Sequence, residues 1–532
     1  MRDETTPASA SDLDDPAAAE PQPRAAVTPI PETVVIVPRS RPRWLLIGVG
    51  LVVALVVGGV ALAAANLLSP PASLVGWVPG QPIVVVEVSL APSAAQVAKL
   101  GTMLGKFPAL KGQSFDEAIT RIDKSLADSG SDARLRDMTP WLGRVVTMAA
   151  YPGEVVRGAS FPSATALVLV AVRDEAAART WLAARKLEGA TSEAYGSATL
   201  TVFGPESARL AATVAHGMLV LGDRARVQAA LDTNGSGPVL ADAGYRAAMA
   251  ASSGDRLAFL YGSTAALRQW LAEVPGFDTT TVDLPAWALM SVRATDAGLE
   301  VAVVTPHQQG SVGHASTLLA HAPDSTVAYL ELQGAGALIS QALDSAAKAG
   351  GTTRDMVDQV RQTVGDLAWL GDLAVLVSPR SSGDPTAGLV AEVTDGAAAD
   401  RLMVKLFGSI APAGDRAGVK ITGLSGGIAY YTVADGKLVL APSVDEVVAL
   451  MDLGSGKTLA AAPAYVAAVG TGSFRTQLFV DVGGALALGE KAAGRPLGDA
   501  EFHDWLGAIS AVGLTTSDDG TYAREILTIA MK

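Results

Sequence analysis

The sequence contains no cysteine among its 532 residues. Without thiols the chain can form neither disulfides nor Cys-ligated zinc sites nor iron–sulfur clusters, and it has no thiol nucleophile. Its stability must therefore come from packing alone. Aromatic residues make up only 5% of the chain and charged residues only 17%, whereas apolar residues reach 49%. A chain this apolar is not disordered throughout, because disordered chains bury too little apolar surface to fold.

Basic residues are also in the minority, with 40 Lys and Arg against 53 Asp and Glu, which gives a net charge of −13. An acidic surface repels phosphate groups at long range. The charge balance therefore argues against nucleic acid, and against anionic lipid headgroups, as partners of the chain surface.

Charged residues are absent from one long stretch, the 25 residues of Trp44–Leu68. As a helix it would be about 37 Å long, enough to cross a hydrocarbon core of about 30 Å. A cleaved signal peptide is the first alternative, since Ala63–Ala65 resembles a cleavage site, but its apolar region would be shorter and nearer the amino terminus. A buried core helix is the second, and the apolar character of every face disfavours it. We predict an uncleaved transmembrane helix over residues 44–68.

Three arginines, Arg39, Arg41 and Arg43, come directly before this stretch. By the positive-inside rule the amino terminus is then cytoplasmic and the bulk of the chain extracytoplasmic. Residues 1–43 are rich in proline and poor in apolar runs, so we expect a disordered cytoplasmic tail. The predicted localisation is the cell membrane, with a single span.

The chain after the span repeats itself. Residues 74–305 and 321–532 are predicted to be two related tandem units, joined by a linker at 306–320. Matching residues keep the same order, and their separation falls from 244 to 218 residues, as expected of collinear copies with shorter loops in the second. The matched pairs are Pro79 with Pro323, Trp141 with Trp369, Tyr245 with Tyr465, and Trp287 with Trp505.

Each unit mixes β-branched strands in hairpin-like succession with helices of moderate length. This order predicts an α+β fold with antiparallel sheets flanked by helices. Asp174 is well placed to cap the helix that follows it. The matched tryptophans are predicted to be core anchors, with a ligand platform as the alternative.

Two segments resemble catalytic or nucleotide-binding motifs. Gly423–Gly427 satisfies G-x-S-x-G around Ser425. A strand-like sequence follows it, where a nucleophile elbow requires a helix, so a hairpin turn is the better interpretation. Leu453–Thr458 resembles the end of a phosphate-binding loop, but Met451 stands where that loop needs glycine. We interpret it as the end of a helix.

His307, His314 and His321 are spaced by seven residues. Two turns of helix would separate them by about 10.5 Å, too far for one metal ion to bridge. A linker is the plain interpretation, and a pH-sensitive joint is the alternative. The sequence therefore predicts no catalytic, cofactor-binding or metal-ligating residue, and no cofactor.

Val78–Pro108 contains Pro79, the apolar strand Ile83–Val88, the segment Pro92–Gln96 and a Phe-Pro pair at its end. In these features it resembles the bacterial membrane-anchored family of domain of unknown function 3352. The resemblance implies a cytoplasmic tail, one membrane helix and an ectodomain, and it implies no catalytic residues.

We expect a non-enzymatic binding or structural protein of the bacterial cell envelope, whose partner is another envelope component. The alternative is a protein that binds a lipid or other apolar ligand between sheet and helices, and an enzyme of unrecognised class is third. An apolar cavity would favour a ligand, whereas closed cores with an exposed apolar patch would favour a protein partner.

Overall fold

A computed structural model of the chain describes residues 73–108, 120, 123–124, 127, 134–153, 164–185, 187, 189–205, 209–252, 255–272, 284–307, 312–348, 351–380, 384–408, 411–416, 419–424, 427–451 and 457–532. The predicted tail at 1–43 and the predicted span at 44–68 lie outside these ranges. Each helix inside them falls short of the length and hydropathy that a membrane span requires.

The described residues form a mixed α/β fold around one large antiparallel sheet. β-Branched residues dominate strands such as β1, as their packing on a pleated surface favours. The strands are β1 Val84–Ser89, β2 Leu142–Pro152, β3 Ala164–Val172, β4 Thr191–Tyr195, β5 Ala198–Phe203, β6 Leu210–Ala215, β7 Met218–Asp223, β8 Ala258–Ser263, β9 Trp287–Ala294, β10 Gly298–Pro306, β11 Ala328–Leu332, β12 Leu370–Pro379, β13 Pro385–Val393, β14 Ala411–Arg416, β15 Val419–Gly423, β16 Tyr430–Ala434, β17 Lys437–Ala441, β18 Thr476–Asp481, β19 Ile509–Asp518 and β20 Tyr522–Met531.

Fourteen α-helices lie within the described ranges. Side-chain caps begin several of them, and Asp174 caps one by accepting a hydrogen bond from the Ala177 amide, as predicted. The helices are α1 Ala94–Leu104, α2 Leu135–Met138, α3 Glu175–Ala183, α4 Arg224–Asp232, α5 Pro238–Ala241, α6 Ala243–Ala251, α7 Thr264–Leu271, α8 Ala335–Ala347, α9 Gly351–Val364, α10 Gly396–Phe407, α11 Val444–Met451, α12 Pro463–Ala468, α13 Val482–Ala493 and α14 Ala500–Gly507.

We call residues 73–306 the first half and residues 307–532 the second half. Strand pairing in the first half follows the order β4-β5-β6-β7-β3-β2-β1-β8-β9-β10. In the second half it follows β14-β15-β16-β17-β13-β12-β11-β18-β19-β20. Adding ten to each strand number of the first order gives the second order, so the described strands of the two halves have the same topology.

The two halves share a single sheet because β10 pairs with β20. This antiparallel pairing runs from Gly298 opposite Ala530 to Pro306 opposite Tyr522. Tyr522 packs against the core of the first half, with its ring centroid 6.0 Å from that of Trp287. The last strand of the chain therefore completes the packing of the first half.

Apolar residues fill both faces of the sheet in each half. Leu169 and Val170 are neighbours on β3 and enter different core clusters. Val390 and Ala391 do the same on β13. Because side chains alternate along a strand, each half has a core on either side of the sheet.

Candidate functional site

A row of aliphatic side chains crosses nine adjacent strands on one face of the sheet, and none of them is fully buried. We call these residues the apolar row. Leu330 and Val375 lie directly opposite each other near one end and are 36% and 38% exposed. At about 4.8 Å between strands, the row is about 38 Å long. Its members, in strand order, are Leu440, Leu389, Val375, Leu330, Leu478, Leu514, Leu527, Val301 and Val292.

The opposite face of β11, β12 and β13 is closed. Tyr329, Leu376 and Val390 flank members of the apolar row in sequence, and all three are buried in the core of the second half. Side chains alternate along each strand, so this core and the row lie on different faces. The row is thus an incompletely covered strip beside a well-packed core.

A groove of about 370 Å³ opens where α1 meets the turn between β9 and β10. Ser93 accepts a hydrogen bond from the Gln96 amide and so begins α1. The Gln96 side chain then bonds the backbone of Ala294 in both directions, at 3.0 and 2.8 Å, which fixes the helix to β9. The groove is lined by Ala95, Ala98, Lys99, Thr102, Met103, Lys106, Thr295, Asp296, Ala297, Gly298 and Met531.

The groove lies near one end of the apolar row. Met103, which lines the groove, and Val292, a member of the row, both pack against the small buried cluster of Leu100, Leu257 and Ala294. Lys99 and Lys106 lie seven residues apart along the chain, and both line the groove. The Lys99 amine is 3.2 Å from an Asp296 carboxylate oxygen, on a side chain that is 92% exposed. Such an exposed pair is weak, so the amine can exchange it for a ligand anion.

The arrangement can hold an anion beside an apolar chain. Two ammonium groups supply charge-assisted hydrogen bonds, and methyl, methylene and thioether groups supply apolar contact. Among the described residues that line the groove, Asp296 is the only acid and there is no histidine. The groove therefore offers the chemistry needed to bind an anion next to an apolar group.

Two glutamates, one buried and one half-buried, lie on equivalent strands of the two halves. Glu331 on β11 is fully buried, and its Oε2 accepts hydrogen bonds from Ser316, Tyr329 and Gln477. Glu87 on β1 is half-buried and accepts from Ser73 and Thr147, each at 2.8 Å. These bonds place Glu331 within the core, where it joins β11 to β18.

These carboxylates lie near buried tyrosines. Burial, with a smaller effect from the charge of Glu87, raises the pKa of Tyr245 to about 12. Burial, followed by the charge of Glu331, likewise raises the pKa of Tyr465 and Tyr329 well above the ordinary value. All three phenols therefore stay neutral at physiological pH.

The catalytic-looking motifs take ordinary structural roles where they are described. Gly423 ends β15 opposite Tyr430 of β16, so a strand follows the G-x-S-x-G segment and the predicted hairpin is confirmed. Ser425 itself lies outside the described residues. Most of Leu453–Thr458 also lies outside them, and α11 ends just before it, at Met451.

The three histidines at the start of the second half bind different atoms of that half. His307 Nδ1 lies 2.7 Å from Asp518, His314 Nε2 lies 3.3 Å from Asp372, and His321 Nδ1 lies 2.7 Å from the Leu450 carbonyl oxygen. They do not converge. Within the described ranges no group of three or more histidines and acids is arranged to hold a metal ion.

The prediction that the matched tryptophans are core anchors is confirmed for Trp141 and Trp287 and is wrong for Trp505. Trp141 and Trp287 are buried, and Trp369 is partly buried against a core cluster of the second half. Trp505 is 39% exposed, lies in a helix, and packs at a tilt against Phe107, with ring centroids 4.9 Å apart. Its sequence match to Trp287, the first residue of β9, does not correspond to a shared position in the fold.

Comparison with known proteins gives a family. Residues 44–519 match the family described as "Protein of unknown function (DUF3352)". The chain belongs to DUF3352. The resemblance noted in the sequence is thereby confirmed over most of the DUF3352 chain. No curated protein matches it.

Two solved structures resemble this DUF3352 chain in part. Crystal form IV of TP0453 has 12% identity and a TM-score of 0.26, over 40% of this chain and 81% of that one. Crystal form I of TP0453 has 9% identity and a TM-score of 0.15, over 72% and 97%. At such TM-scores neither structure supports an inference about this one.

Sequence reasoning missed the groove of this DUF3352 member. Lys99 and Lys106 are two ordinary lysines in the sequence, and the turn that faces them lies about 190 residues away. The alternation of apolar residues did predict strands, but it could not show which faces remain uncovered. Only the register between strands reveals the apolar row.

Proposed function

We propose that this chain is a membrane-anchored, non-enzymatic protein that binds an anionic amphiphile. The apolar tail lies along the apolar row, and the head group meets Lys99 and Lys106. The observation that carries the proposal is that a partly exposed aliphatic row and a groove with two lysines border the same small apolar cluster.

The apolar row supports a long apolar ligand. Two of its members, Leu330 and Val375, are exposed and lie directly opposite each other, and seven partly buried aliphatic side chains continue the row across the neighbouring strands. The row is long enough for an extended acyl chain. Removing that chain from water is favourable by about 0.8 kcal/mol for each buried methylene.

The two lysines support an anionic head group. The net charge of −13 repels anions at long range, so the groove is a local exception in an acidic protein. Only an anion whose apolar part gains from the row overcomes that repulsion. This favours a single amphiphile over a bilayer of anionic lipid as the ligand.

The predicted span supplies the location. In this proposal Trp44–Leu68 crosses the cell membrane once, residues 1–43 stay in the cytoplasm, and the sheet stands in the envelope. The matching strand orders support a further part of the proposal, that the halves arose by tandem duplication. Lys99 on α1 has no lysine counterpart within α8, which supports a binding site in the first half.

Titration with cis-parinarate, a fluorescent fatty acid, tests the proposal. The full chain in nanodiscs is expected to bind the probe in excess of empty nanodiscs. The double variant Lys99→Glu and Lys106→Glu is expected to weaken that binding about tenfold, equivalent to about 1.4 kcal/mol. Lys348→Glu, at the end of the equivalent helix α8, is the matched control and should leave affinity unchanged.

A second variant keeps the test independent of the lysines. Leu330→Gln with Val375→Thr alters two exposed members of the apolar row and should also weaken binding. Binding equal to that of empty nanodiscs would refute the proposal. Equal affinity in the wild type and both double variants would refute the assigned site.

A protein partner is the second candidate. Met356 and Val360, one turn apart on α9, are both exposed, and so are Val404 and Phe407 on the neighbouring helix α10. The Lys405 amine donates to the Gln362 carbonyl and joins the two helices. Photo-crosslinkers at Met356 and Val404 in intact cells would yield protein adducts under this hypothesis, and none under ligand binding alone.

A further inference from the structure

We infer that an uncharged surface of the first half rests on the membrane that the chain enters. This surface is formed by Trp77, Leu240 and the loop at residues 233–237, which follows α4. We call Trp77, Asn234, Ser236, Pro238 and Leu240 the anchor-proximal surface. The inference depends on the membrane anchoring proposed above and adds an orientation to it.

The position of the surface along the chain is the first argument. The apolar run ends at Leu68, five residues before Ser73. Five residues span at most about 17 Å even when fully extended. Ser73 then donates to the carboxylate of Glu87 at 2.8 Å, so the chain joins the folded sheet immediately. The residues packed around Ser73–Val78 are therefore the part of the fold that is held nearest to the membrane.

Rigid contacts fix the surface to this entry point. The Gly237 amide donates to the Gly76 carbonyl oxygen at 2.6 Å, which holds α5 against the 3-10 turn Val75–Trp77. A Cβ built on Gly76 would lie 3.2 Å from a Leu240 methyl carbon. Leu240 nevertheless remains 42% exposed. It is an apolar side chain that the fold holds outward beside the membrane entry.

Aromatic contact gives the surface the character of a membrane interface. The indole of Trp77 stacks on the imidazole of His216, with ring centroids 5.0 Å apart at an interplanar angle of 28°. Trp77 is only partly buried. Tryptophan is enriched at the level of the lipid head groups because its ring is amphipathic.

The surface also lacks charge in a strongly acidic protein. Residues 73–86 and 233–241 contain no Asp, Glu, Lys or Arg. The flanking acids are engaged within the fold, since Asp232 accepts from Tyr195 and Asp242 accepts from Tyr261. An uncharged surface loses little on approaching lipid, whereas charged groups would have to give up hydration.

The absence of cysteine makes a direct test simple. A single cysteine at Leu240 (Leu240→Cys), labelled with bimane, reports on the surface in the full chain reconstituted in phosphatidylcholine vesicles. Acyl-chain-brominated phosphatidylcholine should quench this label. Ser236→Cys should behave alike, and Ile428→Cys, which is 69% exposed in the second half, should keep its emission.

The outcomes separate the orientation from the anchor. Flotation of the protein with the vesicles reports on anchoring alone. Flotation without quenching at residues 236 and 240, or equal quenching at residue 428, would overturn the orientation and leave the anchor standing. Failure to float would overturn the anchor, whatever the labels report.

Discussion

Glu87 and Glu331 occupy equivalent places in the two halves, on the strands β1 and β11. Each accepts a hydrogen bond from a serine that precedes its half of the sheet, Ser73 or Ser316. In each half one further donor comes from a neighbouring strand, but the two donor strands lie on opposite sides of the strand that carries the glutamate. Thr147 on β2 donates to Glu87, whereas Gln477 on β18 donates to Glu331. The two halves thus share the carboxylate, but the strand that supplies this hydrogen-bond donor differs between them.

Replacing Glu331 should destabilise the fold more than replacing Glu87. Glu331→Ala leaves three donors without an acceptor in a fully buried site, and we expect a loss of about 3 kcal/mol. Glu87→Ala exposes its donors to water and should cost about 1 kcal/mol. Urea midpoints of the full chain, followed by tryptophan fluorescence, measure the difference. Equal midpoints in the two variants would contradict the larger structural role assigned to the buried Glu331.

Tyr245 should make the fold sensitive to alkali. Burial raises its pKa from 10.0 to about 12, so the folded state holds the proton more tightly than the unfolded state. The resulting stability is complete below pH 10, falls as the pH rises towards 12, and amounts to about 3 kcal/mol. Tyr245→Phe should flatten this part of the pH profile of the urea midpoint. An unchanged profile in Tyr245→Phe would contradict the role assigned to this phenol.

Two glycines should respond to alanine in opposite directions. A Cβ at Gly298 would lie 2.1 Å from the Ile529 carbonyl oxygen, so Gly298→Ala must disturb the pairing of β10 with β20. Gly101 lies within α1 with nothing near its missing Cβ. There alanine should stabilise by about 0.5 to 1 kcal/mol through helix propensity. Thermal unfolding of the two variants distinguishes them, and a stable Gly298→Ala chain would contradict the close approach.

Local sequence signals predicted local structure well. The cap at Asp174, the strand of Val84–Ser89 and the hairpin after Gly423 all follow from nearby residues. The pairing of β10 with β20 joins residues more than 210 positions apart, and periodicity carries no information on partners. Trp505 shows the other limit, because its match to Trp287 fits the steady fall in offset along the sequence but not the position of Trp287 in the fold.

The candidate site could not be predicted from the sequence for the same reason. Val292 and Leu527 each belong to a strand whose alternation is visible in the sequence. Their membership of one row depends on the register across β9, β10 and β20, which only the folded structure supplies.

Asp518 should stabilise the end of the sheet where the two halves meet. Its nearly buried carboxylate receives His307 Nδ1 at 2.7 and 2.8 Å, and the Gly520 amide at 2.8 Å. Asp518→Asn keeps the shape but offers one acceptor oxygen and no charge, so we expect a loss of about 2 kcal/mol. Hydrogen exchange in the full chain should speed up at Tyr522 and Ala523, whose backbones pair with Pro306 and Thr305. Asp296→Asn, in the equivalent turn of the first half, is the control, because its exposed pair with Lys99 contributes little. Unchanged exchange at Tyr522 and Ala523 in Asp518→Asn would show that the bonds of Asp518 do not hold this end of the sheet.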